Sequence, residues 1–157
     1  MIRVEIPGSE AVVIENVVLD FNGTIACDGV LIEGVGDRLV ALDASGVSLR
    51  LITSDTNGTA SAACADLPLV VDVCDGAGAG ERKRDLVRQL GAQQTACIGN
   101  GRNDLLMFQE SCLAIAVIGV EGCFAQTLCA ADIVVTNILD ALDLLLRENR
   151  IRAALRT

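Results

Sequence analysis

From Val17 onward, short apolar runs alternate with longer segments in which apolar residues recur three and four positions apart. The short runs are 17–20 (VVLD), 47–53 (VSLRLIT), 68–73 (PLVVDV), 95–99 (TACIG), 113–118 (LAIAVI) and 132–135 (DIVV). They are apolar on both faces rather than alternating, which predicts parallel strands covered by helices on either side. The helical period falls near 35–45, 56–65, 80–91, 103–110, 122–130 and 137–148. Strand and helix in regular succession predict a doubly wound, Rossmann-like α/β fold. Two segments break the rhythm. Residues 2–14, IRVEIPGSEAVVI, predict an antiparallel hairpin turning at Pro7-Gly8-Ser9 and added to an edge of the sheet. Residues 26–33, ACDGVLIE, place Asp28-Gly29 between short apolar flanks and predict a small flap hairpin just after the first long strand. The expected organisation is a single domain over 1–157, with 1–15 as an N-terminal hairpin extension and 26–33 as the flap.

Composition narrows the chemistry. Apolar residues make up 52% of the chain, yet no apolar run approaches the roughly 18 to 20 residues needed to span a bilayer. The excess apolarity is expected inside a soluble core, with no membrane partner. The N-terminus, MIRVEIPGSE, lacks the basic and then apolar regions of a secretory signal, so a cytoplasmic location is expected. Twelve basic residues against 21 acidic ones give a net charge of −9, which disfavours nucleic acid, since affinity for a phosphate backbone comes from Lys and Arg. The chain has no histidine. That excludes a Ser-His-Asp or Cys-His pair and any His-ligated zinc or haem. Acid–base work falls to carboxylates and to Lys83, the only lysine. Seven cysteines without a Cys-x-x-Cys pair read as free, mostly buried thiols.

In this fold class ligands bind at the carboxyl ends of the strands, where the order of the strands reverses. The predicted ends are Asp20 followed by FNGT, Thr53 followed by SDT, Asp72 to Asp75, Gly99 followed by NGRND, and Gly119 followed by VEG. The first, second and fourth concentrate oxygen ligands, hydroxyls and glycines. Taken singly, Asn22-Gly23 and Asn100-Gly101 read as turns, Thr53-Ser54-Asp55 as a helix N-cap, and Lys83 as a solvated helix residue.

Taken together and in this order, the motifs resemble the haloacid dehalogenase superfamily of phosphatases and phosphotransferases, and within it the phosphorylation domain of P-type ATPases. DFNGTIA resembles the nucleophile motif, LITSDT the second, Lys83 of GERKRDLVRQLG the third and IGNGRND the fourth. The later stretch LAIAVIGVEGCFAQTLCAADIVV continues like the ATPase domain. The resemblance implies that Asp20 attacks a phosphoryl group to form an aspartyl-phosphate. Gly23 and its turn would offer backbone N–H groups to the phosphate. Thr53 and the backbone near Ser54 would donate to phosphoryl oxygens, Lys83 would neutralise charge, and Asn103 would touch the phosphate. It also implies Mg²⁺, held by the Asp20 carboxylate, the Asn22 backbone carbonyl, the Asn100 side-chain oxygen, and Asp104 directly or through water.

The chain departs from the superfamily pattern at two positions. Superfamily phosphatases carry an acid where Asn22 stands, and usually another where Asn100 stands. An amide at position 22 cannot protonate a leaving group or activate water. The expected activity is therefore an Mg²⁺-dependent phosphatase of slow turnover, with a phosphate- or phosphoprotein-binding module as the alternative. The substrate is expected to be a phosphorylated small molecule or phosphoprotein. No segment is long enough for a large cap domain, so a dimer or tetramer is expected to cover the site.

Overall fold

The both-faced apolar runs form the strands of one parallel sheet in the computed structural model, which describes residues 1–55, 58–74 and 76–157. In chain order the elements begin with β1 Ile2–Val4, β2 Val12–Ile14, β3 Asn16–Leu19, β4 Ala26–Cys27, β5 Val30–Leu31 and α1 Val35–Ala44. They continue with β6 Ser48–Thr53, α2 Thr59–Ala63, β7 Val70–Val73, α3 Ala79–Leu90 and β8 Thr95–Gly99. A 3-10 turn at Arg102–Asp104 leads to α4 Leu105–Glu110, β9 Leu113–Val117, α5 Ala125–Ala130, β10 Ile133–Val135, α6 Ile138–Leu146 and α7 Glu148–Leu155.

The sheet order is β10-β9-β8-β3-β6-β7, parallel throughout. The chain builds outward from β3 to β7, returns to the other side of β3, and builds outward again from β8 to β10. The reversal lies between β3 and β8. Because successive side chains on a strand point to opposite faces, Val17 and Leu19 join the core shared with α1 and α6, while Val18 joins the core shared with α3 and α4. This explains why the runs carry no polar alternation: both faces are covered.

The flap forms as its sequence predicts. Asp28 (φ 49°) and Gly29 (φ 78°) are both left-handed, as a two-residue primed hairpin turn requires, and β4 and β5 pair antiparallel across them. The N-terminal hairpin forms between β1 and β2 but is not added to an edge of the sheet. Only Glu15 separates β2 from β3, and β3 already has β6 on one side and β8 on the other. The hairpin must therefore lie beyond the amino end of the sheet's centre, where it forms a separate two-stranded ribbon.

All six predicted helices shift at one or both ends, by one to three residues. The predicted 56–65 helix begins at Thr59; positions 56 and 57, like Asp75 at the predicted third strand end, lie outside the described residues. The predicted 122–130 helix begins at Ala125, because Gly122 is left-handed (φ 81°) and closes a turn on Gly119. The predicted 137–148 helix starts where Asn137 caps the Leu139 N–H at 2.8 Å, but it breaks at Arg147. Beyond the break the sequence pattern missed α7, whose mostly charged face hides one fully buried residue, Ile151. The α7 helix packs on β1, and Arg152 donates to the Glu5 carbonyl at 2.9 Å. Among the described residues no helix is long and apolar enough to cross a membrane.

Because Ile151 is the buried contact of α7, Ile151→Ala is expected to lower stability by about 2–5 kcal/mol, the usual range for such a truncation. Urea denaturation of the two proteins measures it; a loss below about 1 kcal/mol would mean that α7 is not part of the folded core.

Candidate active site

Asp20 is the first residue beyond β3, and its N–H still follows the ladder, donating to Ile98 O at 3.0 Å. Asn100 is the first residue beyond β8. These two strands flank the reversal in strand order, so the sheet itself brings the nucleophile motif and the fourth motif together. Lys83 arrives from α3 and is fully buried, not solvated. Its Nζ lies 2.5 Å from Asp20 Oδ1 and 2.6 Å from Asp104 Oδ1.

One ammonium thus serves two carboxylates. Burial pushes the Asp20 carboxyl up to about 7, with the Asp104 charge adding to the rise and Lys83 opposing it. Burial also works against the Lys83 charge, but the two carboxylates outweigh it and hold the ammonium's pKa above its usual value.

Asp104 is fully buried and its oxygens are engaged. Oδ1 takes Lys83, while Oδ2 accepts the N–H groups of Asn100 at 2.9 Å and Gly101 at 2.7 Å. These bonds make it a frame for the 100–101 turn. The Gly23 N–H donates to Ala26 O at 2.8 Å inside the turn. What position 23 requires is the absence of a side chain: φ is 76°, and an added β-carbon would collide with the Asn100 amide.

The other predicted residues are placed as follows. Thr53, almost fully buried at the end of β6, accepts the Asp55 N–H at 3.1 Å, which leaves its hydroxyl proton available to donate. Ser54 follows it, exposed. Asn22 is exposed and its side-chain oxygen accepts the Gly29 N–H of the flap turn at 3.0 Å. Asn103 sits in the 3-10 turn and lines a cleft of about 470 Å³ with Arg102 and residues of the 76–81 segment. The structure therefore joins Asp20, Lys83, Asp104 and Asn100 in one hydrogen-bonded group, with Thr53 one strand over at the same end of the sheet.

Sequence reasoning missed two buried threonines. Thr24 donates to Asn100 Oδ1 at 3.2 Å, and Thr127 of α5 donates to Gly101 O at 2.8 Å. Thr24 lies inside DFNGTIA and its burial beside an apolar isoleucine was the available signal. Thr127 lies 26 residues from its partner, and the sequence carries no local sign of it.

Three solved structures put this arrangement in context. A putative HAD family hydrolase of Streptomyces avermitilis superposes with a TM-score of 0.64 at 25% identity, over 78% of this chain and 76% of that one. The chain has the haloacid dehalogenase fold. The cobalt-bound deoxy-D-mannose-octulosonate 8-phosphate phosphatase of Haemophilus influenzae gives a TM-score of 0.73 at 18% identity, covering 92% of this chain and 94% of that one. The corresponding phosphatase of Moraxella catarrhalis, in complex with magnesium, phosphate and its sugar acid, gives 0.72 at 20% identity and covers 90% of each chain. In sequence, 59 residues are 54% identical to an uncharacterized protein of Methanocaldococcus jannaschii, covering 38% of this chain and 63% of the relative, less than two thirds of its length. No protein-family profile matches the chain.

Removing the ammonium from this centre leaves two carboxylates facing each other under burial. Lys83→Ala is therefore expected to destabilise the fold by about 3–5 kcal/mol near neutral pH. Without Lys83 to oppose burial, the Asp20 carboxyl would be held further above its unfolded value, so the deficit should be smallest in acid and grow as pH rises through the folded-state value. Denaturant titrations at several pH values check this, and a deficit that shrinks with rising pH would contradict the shared-cation account.

Proposed function

We propose that this chain is a divalent-metal-dependent phosphohydrolase that works through Asp20. The observation that carries the proposal is the fully buried Lys83, bonded at once to Asp20 and Asp104 at the carboxyl ends of the central strands. A fully buried lysine is rare unless paired, and here it stands where a phosphate dianion would meet the carboxylate that attacks it.

The donor set fits a hard cation. Asp20, the Asn22 carbonyl and the Asn100 amide offer oxygen alone, and two carboxylates against one ammonium leave the group with an excess negative charge. Asp20, Asn22 and Asn100 would hold Mg²⁺, with Asp104 acting through the turn it frames or through water. The cation would screen the repulsion between the phosphate and Asp20 and polarise a phosphoryl oxygen.

The chain's own residues supply the rest. An Asp20 oxygen attacks phosphorus, and the new bond forms as the bond to the leaving oxygen breaks; that oxygen takes its proton from solvent, because Asn22 has none to give. Thr53 donates its hydroxyl proton to a phosphoryl oxygen, and Lys83 offsets the charge spread over phosphate and carboxylate. Water then attacks phosphorus, releasing inorganic phosphate, passing its proton to solvent and freeing Asp20. The substrate class is a phosphorylated small molecule, in keeping with the solved phosphatases of this fold. The order of the four motifs, with the stretch LAIAVIGVEGCFAQTLCAADIVV after them, is the ground for placing the chain near the P-type-ATPase branch. A second reading, a phosphate- or phosphoprotein-binding module without turnover, is favoured by one observation: the Asn22 side chain is neutral and already engaged with the flap.

A screen of phosphorylated metabolites with Mg²⁺ tests the proposal. Activity is expected to vanish in Asp20→Asn and on chelation, and activity that survives either would end the mechanism. In the same assay Asn22→Asp should raise the rate on an alkyl phosphate more than on an aryl phosphate, toward about a hundredfold, since a positioned general acid is worth about 10² to 10⁴. Equal or falling rates in a folded variant would support the binding module.

The proposal also includes a dimer or tetramer. Val30 at the flap is 70% exposed and Val120 is 89% exposed, large apolar side chains that a site without a cap leaves in water. Light scattering at micromolar concentration should return a multiple of the monomer mass; a monomer would remove this part.

A further inference from the structure

Asn100 is held at both ends of its side chain. Its nitrogen donates to the Gly122 carbonyl at 3.0 Å, and its oxygen accepts the Thr24 hydroxyl at 3.2 Å. A carbonyl has no proton to give, so only a nitrogen can face Gly122. The oxygen is thereby turned to the nucleophile loop, with one lone pair on Thr24 and the other left over.

The partner in this contact is a folded strap, residues 119–127. Its Gly122 N–H closes on Gly119 O at 3.0 Å, and the left-handed Gly122 (φ 81°) turns the chain. Further along, the Phe124 N–H donates to Asn100 O at 2.8 Å, the buried Thr127 hydroxyl donates to Gly101 O at 2.8 Å, and the Arg102 guanidinium lies 4.7 Å from the centre of the Phe124 ring. The strap thus grips the main chain of Asn100 and Gly101 as well as the Asn100 side chain.

We propose that the 119–127 strap is a positioning element that presents Asn100 to the cation as a neutral oxygen donor, and that the Gly122 carbonyl is the reason an amide stands at position 100. The inference rests on the phosphohydrolase reading for the presence of a cation. A carboxylate at 100 would set an anion against the Gly122 carbonyl oxygen. It would also add a third acid beside Asp20 and Asp104, which already share one ammonium. Charge alone says that Asn100→Asp should bind a divalent cation more tightly; the strap says that it should bind more weakly. Asn22 carries no such constraint, because its oxygen accepts the Gly29 N–H and a carboxylate could accept it equally.

The test is Mn²⁺ binding to the metal-free protein, read from the paramagnetic signal of the free ion with no substrate present, beside the thermal midpoint of each variant. Wild type is expected to bind Mn²⁺. Thr127→Val, which keeps the shape and loses the hydroxyl, should weaken binding by about tenfold to a hundredfold, the usual effect of losing an outer-shell partner, and Thr127→Ser should stay within about twofold of wild type. Asn100→Asp should weaken it about tenfold or more. Asn100→Asp binding as tightly as wild type or tighter overturns the inference, and so does Thr127→Val binding like wild type or Thr127→Ser failing to restore it. If Asn100→Asp does not fold, the Thr127 pair decides. A folded wild-type protein that binds no Mn²⁺ removes the metal reading itself, a different outcome from binding that the variants leave unmoved.

Discussion

One buried ammonium between two carboxylates is the constraint on which the rest of this molecule depends. Lys83 has no access to water, so its charge is tolerable only while Asp20 and Asp104 are both within hydrogen-bond reach. Those three residues come from the end of β3, from the first half of α3 and from the turn after β8. Their meeting fixes how α3 crosses the sheet and how closely the two central strand ends approach. The arrangement also leaves a net negative charge, which is poor for stability and suited to a site that receives a cation. The proposed function draws on side chains that stability also depends on.

Around this centre, side chains have been removed to let backbone and amides come close. A β-carbon at Gly99 would lie 2.5 Å from the Asp104 carboxyl carbon, and one at Gly23 would strike the Asn100 amide. Asp104 then uses the space to take two main-chain N–H groups from the 100–101 turn. A fully buried carboxylate bonded in this way is an architectural part of the centre, whereas the Asp20 carboxyl beside it is pushed up to about 7 by burial.

The flap and the strap meet each other. Asn22 holds the Gly29 N–H, and Glu121 of the strap accepts the Asp28 N–H at 2.9 Å, so the flap turn is tied at two adjacent residues to two different parts of the site. The flap is thereby a small, anchored structure beside the 119–127 strap. The solved phosphatases of similar fold match this chain nearly end to end.

The sequence by itself determined the strands, the order of the motifs and the flap turn, because each rests on local causes. Strands covered on both faces must be apolar throughout, and Asp28-Gly29 favours a left-handed pair whatever surrounds it. The same local patterns placed Asp20, Thr53, Lys83 and Asn100 at strand ends or on helices facing them. Only the tertiary structure decided the rest. A solvated lysine and a buried one look alike in sequence, and it took the packing of α3 to show that Lys83 is the latter. The place of the N-terminal hairpin followed from β3 having both of its edges occupied by strands far along the chain. The α7 helix, with one buried residue on a charged background, gains its reason only from β1 at the opposite end of the sequence. Thr127 and the Gly122 carbonyl act on residues 26 and 22 positions away. A hydrogen bond across such a distance leaves no period, cap or turn preference to read, so the account of why Asn100 is an amide had to wait for the fold.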